Sequence, residues 1–169
     1  MKEAYAQALA LRQAATEAGA MFIVNDRCDL AMAVDADGVH LGQEDLPITY
    51  ARRVLGPGKI IGLSTHMATQ VREAEVLKPD YIGFGPLFKT STKSDHDPVV
   101  GLEGLRAARE LTTLPIFAIG GITADSVGEI VVAGADGVAV ISAILKAPDL
   151  GAAIRAFQQS LSIRDRQAL

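Results

Sequence analysis

Short apolar runs rich in β-branched residues recur along the chain, at 21–25 (MFIVN), 38–42 (GVHLG), 59–64 (KIIGLS), 81–86 (YIGFGP), 115–121 (PIFAIGG) and 137–142 (GVAVIS). Within each run the apolar residues follow one another rather than alternating with polar ones. That is the pattern of strands covered by helices on both faces, as in parallel sheets. Stretches with helical spacing separate the runs, and strand alternating with helix predicts an α/β fold. The chain opens on a predicted helix from Lys2 to Glu17, stopped at Gly19.

An internal echo points to a repeated βα unit. Ala36-Asp37-Gly38-Val39 opens one run, Ala135-Asp136-Gly137-Val138 opens another, and Pro79-Asp80-Tyr81-Ile82 has the same small-acid-apolar form. Gly134, just ahead of one echo, is placed to end a helix in the left-handed conformation. The repeats carry no Gly-rich dinucleotide fingerprint after the first strand, which favours a (βα)8 TIM barrel over a doubly wound sheet. Six of the eight units are visible, in a single, incomplete barrel domain over residues 1–169. The usual lower limit for this fold is ~200 residues. The expectation is that the first strand, first helix and second strand of the parent fold are missing, and that residues 1–19 are its second helix. Open sheet edges would then have to be covered or paired, which keeps a homo-oligomer among the expectations.

Composition narrows the function. The 16 Lys and Arg against 20 Asp and Glu give a net charge of −4, and 49% hydrophobic with 21% charged residues excludes a disordered chain. An isoelectric point near 5.3, no Trp and only 5 Phe and 3 Tyr leave neither an electrostatic footprint nor a stacking platform for nucleic acid. A single cysteine, Cys28, excludes an intramolecular disulfide and a Cys-based zinc site. The N-terminus lacks the apolar core of a signal peptide, and no run approaches the ~18 residues of a membrane span. A cytoplasmic protein without membrane or nucleic-acid partners is expected.

In a parallel barrel the functional groups gather where strands end, and these ends are polar. They read Asn25-Asp26-Arg27, Gly42-Gln43-Glu44-Asp45, Ser64-Thr65-His66, Phe88-Lys89-Thr90-Ser91-Thr92-Lys93, Gly120-Gly121 and Ile141-Ser142. Asp26 and Asp45 follow adjacent strands, and two hard carboxylates with substrate phosphates suit Mg²⁺. Either alone would read as a loop or cap carboxylate; the pair favours metal. Thr90, Ser91, Thr92 and Lys93 offer hydroxyls and one ammonium to an anion. Gly120 and Gly121 would serve a tight turn equally well, but their place after the penultimate strand, with Ile141 and Ser142 after the last, is where such barrels bind phosphate. His40 reads as a hydrogen-bonded core group ahead of a proton-handling one. His66 is the better placed site histidine, and His96 between two aspartates reads as solvated. Cys28 has no His beside it in sequence and reads as a small buried residue.

Taken together, these motifs resemble those of the thiamine phosphate synthases. The likeness runs in order through Phe22–Arg27, Gly38–Asp45, Gly62–His66, Tyr81–Pro86, Thr90–Lys93, Ala118–Ile122 and Gly137–Ser142. It implies a transferase on a (βα)8 barrel that joins hydroxymethylpyrimidine diphosphate to a thiazole phosphate, releasing pyrophosphate, in thiamine biosynthesis. It further implies that Asp26 and Asp45 bind Mg²⁺ and that Asn25, Ser64 and Lys93 contact the pyrimidine diphosphate, with Ser64 and Lys93 as catalytic groups. Thr90, Ser91, Thr92, Gly121, Ile141 and Ser142 would hold the thiazole phosphate. In the family the C–O bond breaks first, so no protein nucleophile is required. The family's Gln-Leu-Arg-x-Lys motif, at the end of its second strand, would fall ahead of Met1. Two other readings stand beside this one: a thiazole tautomerase on a similar barrel, which needs no metal or diphosphate groups, and a non-catalytic truncated fragment.

Overall fold

The computed structural model describes residues 2–90 and 98–162. It contains six parallel strands that alternate with helices, the α/β arrangement the apolar runs predict. The chain divides into two compact units, Met1–Ser64 with Leu77–Tyr81, and Thr65–Val76 with Ile82–Leu169.

The first unit opens on α1 (Lys2–Glu17), whose alanines and long straight side chains are strong helix formers. Gly19 ends it at φ +66°, and Ala20 N–H returns to Ala15 C=O at 2.8 Å. This is the left-handed cap that glycine takes without steric cost. Next come β1 (Ile23–Asn25), α2 (Cys28–Ala33), β2 (Gly38–Leu41), α3 (Ile48–Leu55) and β3 (Ile60–Thr65). β1 pairs with β2 and β2 with β3, and His40 lies opposite both Asn25 and Gly62. Val39, Leu41, Ala51 and Ile61 are fully buried. At strand entries, Asp37 Oδ2 accepts Phe22 N–H at 2.7 Å and Arg12 Nη1 at 3.0 Å. Asp80 Oδ2 likewise accepts Ile61 N–H at 2.7 Å and Arg52 Nη2 at 2.6 Å.

The second unit holds α4 (Ala68–Leu77) and β4 (Tyr81–Phe84), apart from Leu77 and Tyr81, which belong to the first, then α5 (Gly101–Leu111), β5 (Ile116–Ile119), the short α6 (Val127–Val132), β6 (Gly137–Ala139), α7 (Ser142–Leu145) and α8 (Leu150–Leu161). β4 pairs with β5 and β5 with β6. Ile82, Leu87, Leu105, Ile116, Val127 and Ile130 are fully buried between strands and helices. Gly134 closes α6 at φ +110°, the left-handed stop its position predicts. Asp136 Oδ2 accepts Ile116 N–H at 3.0 Å and Arg109 Nη1 at 3.1 Å. The last strand is shorter than its apolar run: β6 ends at Ala139, Ile141 is 59% exposed, and Ser142 opens α7. The run mixes strand with the entry to a helix, and composition does not separate the two.

Candidate active site

In the first unit, β1, β2 and β3 deliver their C-terminal ends, with polar side chains, at neighbouring registers. Asn25 ends β1, and Asp26 follows it with φ +64°, a left-handed conformation that Asp and Asn adopt more readily than other side chains. The Asp26 N–H donates to His40 C=O at 2.8 Å, which ties the turn to β2, and Asn25 Nδ2 donates to Asp26 Oδ1 at 2.6 Å. Asp45 lies on the loop after β2. Its Oδ2 accepts the Gly42 N–H at 2.7 Å, so the carboxylate is fixed by its own turn. Gln43 reaches across to donate from Nε2 to the Ser64 C=O at 2.6 Å.

Ser64 stands half-buried near the end of β3, with Oγ 2.9 Å from His40 Nε2. His40 Nδ1 lies 3.0 Å from Tyr81 Oη, and the two rings stack with centroids 5.4 Å apart. His40 is hydrogen-bonded, as its sequence context suggests, but half-buried rather than a core group, and one of its partners is a candidate site residue. Tyr81 is a partner that strand-end motifs do not reveal, while Gln43, the partner of the Ser64 carbonyl, lies in one without a role read from it. Tyr81 stands at the start of its strand, 41 residues from His40, and only the strand register brings them together. Burial pushes the Tyr81 phenol pKa up, so the hydroxyl keeps its proton.

Asp26 and Asp45 offer hard oxygen ligands, with the Asn25 amide beside Asp26. Among the described residues no group of three or more His, Cys, Asp or Glu side chains gathers to hold a metal ion. A pair of carboxylates fits Mg²⁺, which takes one or two protein carboxylates and leaves its other positions to phosphate oxygens and water. Arg27, next to Asp26, is engaged elsewhere: its Nε and Nη2 donate to both oxygens of Asp29 at 2.7 and 2.6 Å. This pairing lowers the Asp29 pKa to about 2. Cys28 is buried, and desolvation first, then the charges of Asp29 and Asp45, raise its thiol pKa.

In the second unit, Gly120 and Gly121 follow β5 with φ +87° and +69°. The chain after β4 lies directly against them. Phe88 N–H donates to Gly120 C=O at 3.1 Å, and a Cβ on Gly121 would come within 2.6 Å of Lys89 C=O. The backbone leading into Thr90 therefore runs beside Gly121. Ile141 and Ser142 lie just beyond β6, the strand paired with β5. Ser91, Thr92, Lys93 and His96 lie outside the described residues. His66, after β3, has Nδ1 2.6 Å from Gly85 C=O, and its N–H donates to Gln70 Oε1 at 2.7 Å. These bonds hold the turn into α4.

Parallel strands whose polar residues collect at the C-terminal ends define an α/β enzyme of the TIM-barrel type. Known proteins agree. Residues 1–144 match the family model described as thiamine monophosphate synthase. The thiamine-phosphate synthase of Moorella thermoacetica is 51% identical over 150 residues, which cover 89% of this chain and 71% of that protein. That of Chloroflexus aurantiacus is 46% identical over 163 residues, covering 96% and 75%. The solved structure of the thiamine phosphate pyrophosphorylase from Pyrococcus furiosus superposes with a TM-score of 0.87 at 42% identity, over 95% of this chain and 77% of that one. The chain belongs to the thiamine-phosphate synthase family of transferases. Among the described residues no helix is long and apolar enough to cross a membrane.

Proposed function

We propose that this chain carries out its family's reaction, joining hydroxymethylpyrimidine diphosphate to a thiazole phosphate with release of pyrophosphate. The observation that carries this reading is the presence of Asn25, Asp26, Asp45 and Ser64 on the ends of three adjacent strands of a chain 51% identical to a thiamine-phosphate synthase. A tautomerase has no need of such a set.

Asp26 and Asp45 would hold Mg²⁺, which would supply positive charge to offset that of the leaving group. Asn25 and Ser64 orient the pyrimidine diphosphate through hydrogen bonds, and Lys93 supplies the point charge for the departing oxygen. The C–O bond of the pyrimidine methylene breaks with its electron pair leaving on pyrophosphate, and the thiazole nitrogen forms the new C–N bond. Thr90, Ser91, Thr92, Gly121, Ile141 and Ser142 hold the thiazole phosphate, by hydroxyls and by backbone N–H groups that glycine leaves accessible. Holding both reactants and excluding water is then the chain's main contribution. A reducing, cytoplasmic setting suits its single thiol.

The test is joint binding of Mg²⁺ and inorganic pyrophosphate by calorimetry. Each should tighten the other's binding. Failure of either to bind in the presence of the other would favour the tautomerase reading.

A further inference from the structure

The imidazole of His40 sits between two hydroxyls, Tyr81 Oη at 3.0 Å from Nδ1 and Ser64 Oγ at 2.9 Å from Nε2. Gly62, the register partner of His40 on β3, makes the arrangement fit. A Cβ there would lie within 2.5 Å of both His40 Nδ1 and Tyr81 Oη, so any side chain would wedge the pair apart. The bond from Tyr81 to His40 has a preferred direction. A phenol is a strong donor and a weak acceptor, because the ring draws on the oxygen lone pair, and burial keeps this one protonated. A neutral imidazole has one donor and one acceptor nitrogen, and the partner of one nitrogen sets the state of the other. With Tyr81 donating to Nδ1, the proton stands on Nε2 and points at Ser64 Oγ. Ser64 then accepts from His40, and its own hydrogen is left to point at another acceptor. Successive bonds of one sense polarise each other and sharpen the last donor.

We infer that Tyr81 and His40 are positioning residues that hold Ser64 as a hydrogen-bond donor to an oxygen of the pyrimidine diphosphate. The inference deepens the proposed reaction and rests on it for the identity of the acceptor. Tyr81 acts through two intermediates and touches no substrate. Its chemical requirement is one phenolic proton.

Nitrogen-15 NMR of the His40 ring above neutral pH should show the proton on Nε2, and Tyr81→Phe should shift the ring toward a mixture of tautomers. Calorimetry with inorganic pyrophosphate and Mg²⁺ should show Kd rising about three- to tenfold in Tyr81→Phe, the size expected for one misdirected hydrogen bond. In a Ser64→Ala background the same Tyr81→Phe change should leave Kd unmoved, and KM for the thiazole phosphate should not change in any variant. A wild-type proton on Nδ1, or a Tyr81→Phe effect of equal size with and without Ser64, would overturn the inference. Should Tyr81→Phe fail to fold, the wild-type tautomer decides. A wild-type chain that binds no pyrophosphate counts against the proposed reaction instead, and the ring tautomer then decides on the hydrogen-bonded chain independently.

Discussion

Arg109 and Asp136 meet through Nη1 and Oδ2 at 3.1 Å, and the same carboxylate oxygen takes the main-chain N–H of Ile116 at the entry to β5. The Arg12–Asp37 and Arg52–Asp80 pairs do the same for Phe22 and Ile61. Each time an aspartate entering an even-numbered strand binds the entry of the preceding odd strand and an arginine from the helix before it. The aspartate's own N–H donates back to the carbonyl of that same entry residue. The repeating structural unit is therefore a pair of βα elements. These clamps stand at strand entries and the candidate site residues at strand ends, which separates stability from chemistry.

Asp136→Ala should cost about 1–3 kcal/mol, because Ile116 is fully buried and its N–H would lose its partner. Glu103→Ala, which removes an exposed ion pair with Arg106, should cost roughly 0–1 kcal/mol. Urea unfolding of both variants checks this, and equal losses would deny the clamp its role.

Asp26→Asn keeps the shape and the tolerance for positive φ at that turn while removing the charge. Turnover at limiting Mg²⁺ should fall roughly a hundredfold, the scale seen when a metal site is weakened. The unfolding midpoint should stay in place because the side chain is exposed. An unchanged Mg²⁺ dependence of the rate would remove Asp26 from the metal site.

Gly121→Ala places a Cβ against Lys89 C=O at φ +69°, and holding a non-glycine residue there costs roughly 1–3 kcal/mol. KM for the thiazole phosphate should rise while calorimetric binding of Mg²⁺ and pyrophosphate stays as in the wild type. If pyrophosphate binding fell instead, the phosphate of the thiazole would have to be held elsewhere.

Asp29 has its pKa lowered from 3.8 to about 2, first by the hydrogen bonds from Arg27. A carboxylate with a depressed folded-state pKa adds stability that is full above its unfolded value and lost as pH falls through the folded one. The contribution of this pair should therefore fade between pH 3.8 and about 2. Carbon-13 titration of the Asp29 carboxyl should give a midpoint near 2, moving up toward 3.8 in Arg27→Ala.

Much of this was legible in the sequence. Consecutive apolar residues marked every strand, Gly19 and Gly134 marked helix ends, and the three Asp-containing echoes marked the repeat. The purpose of those aspartates was not legible, because each binds a backbone N–H 15 to 20 residues earlier that sequence alone does not place beside it. Asp26 and Asp45 stood out as carboxylates after adjacent strands. The Tyr81–His40–Ser64 chain did not, since it depends on the register of β2 against β3 and on Gly62 having no side chain. The run at 137–142 overstated its strand because Val140 and Ile141 are as apolar as the strand residues they follow.

The most direct test is to incubate the chain with hydroxymethylpyrimidine diphosphate and thiazole phosphate, with and without Mg²⁺, and to measure thiamine phosphate by mass. The proposed reaction predicts product that requires both substrates and Mg²⁺. A folded chain that makes none under these conditions would contradict it.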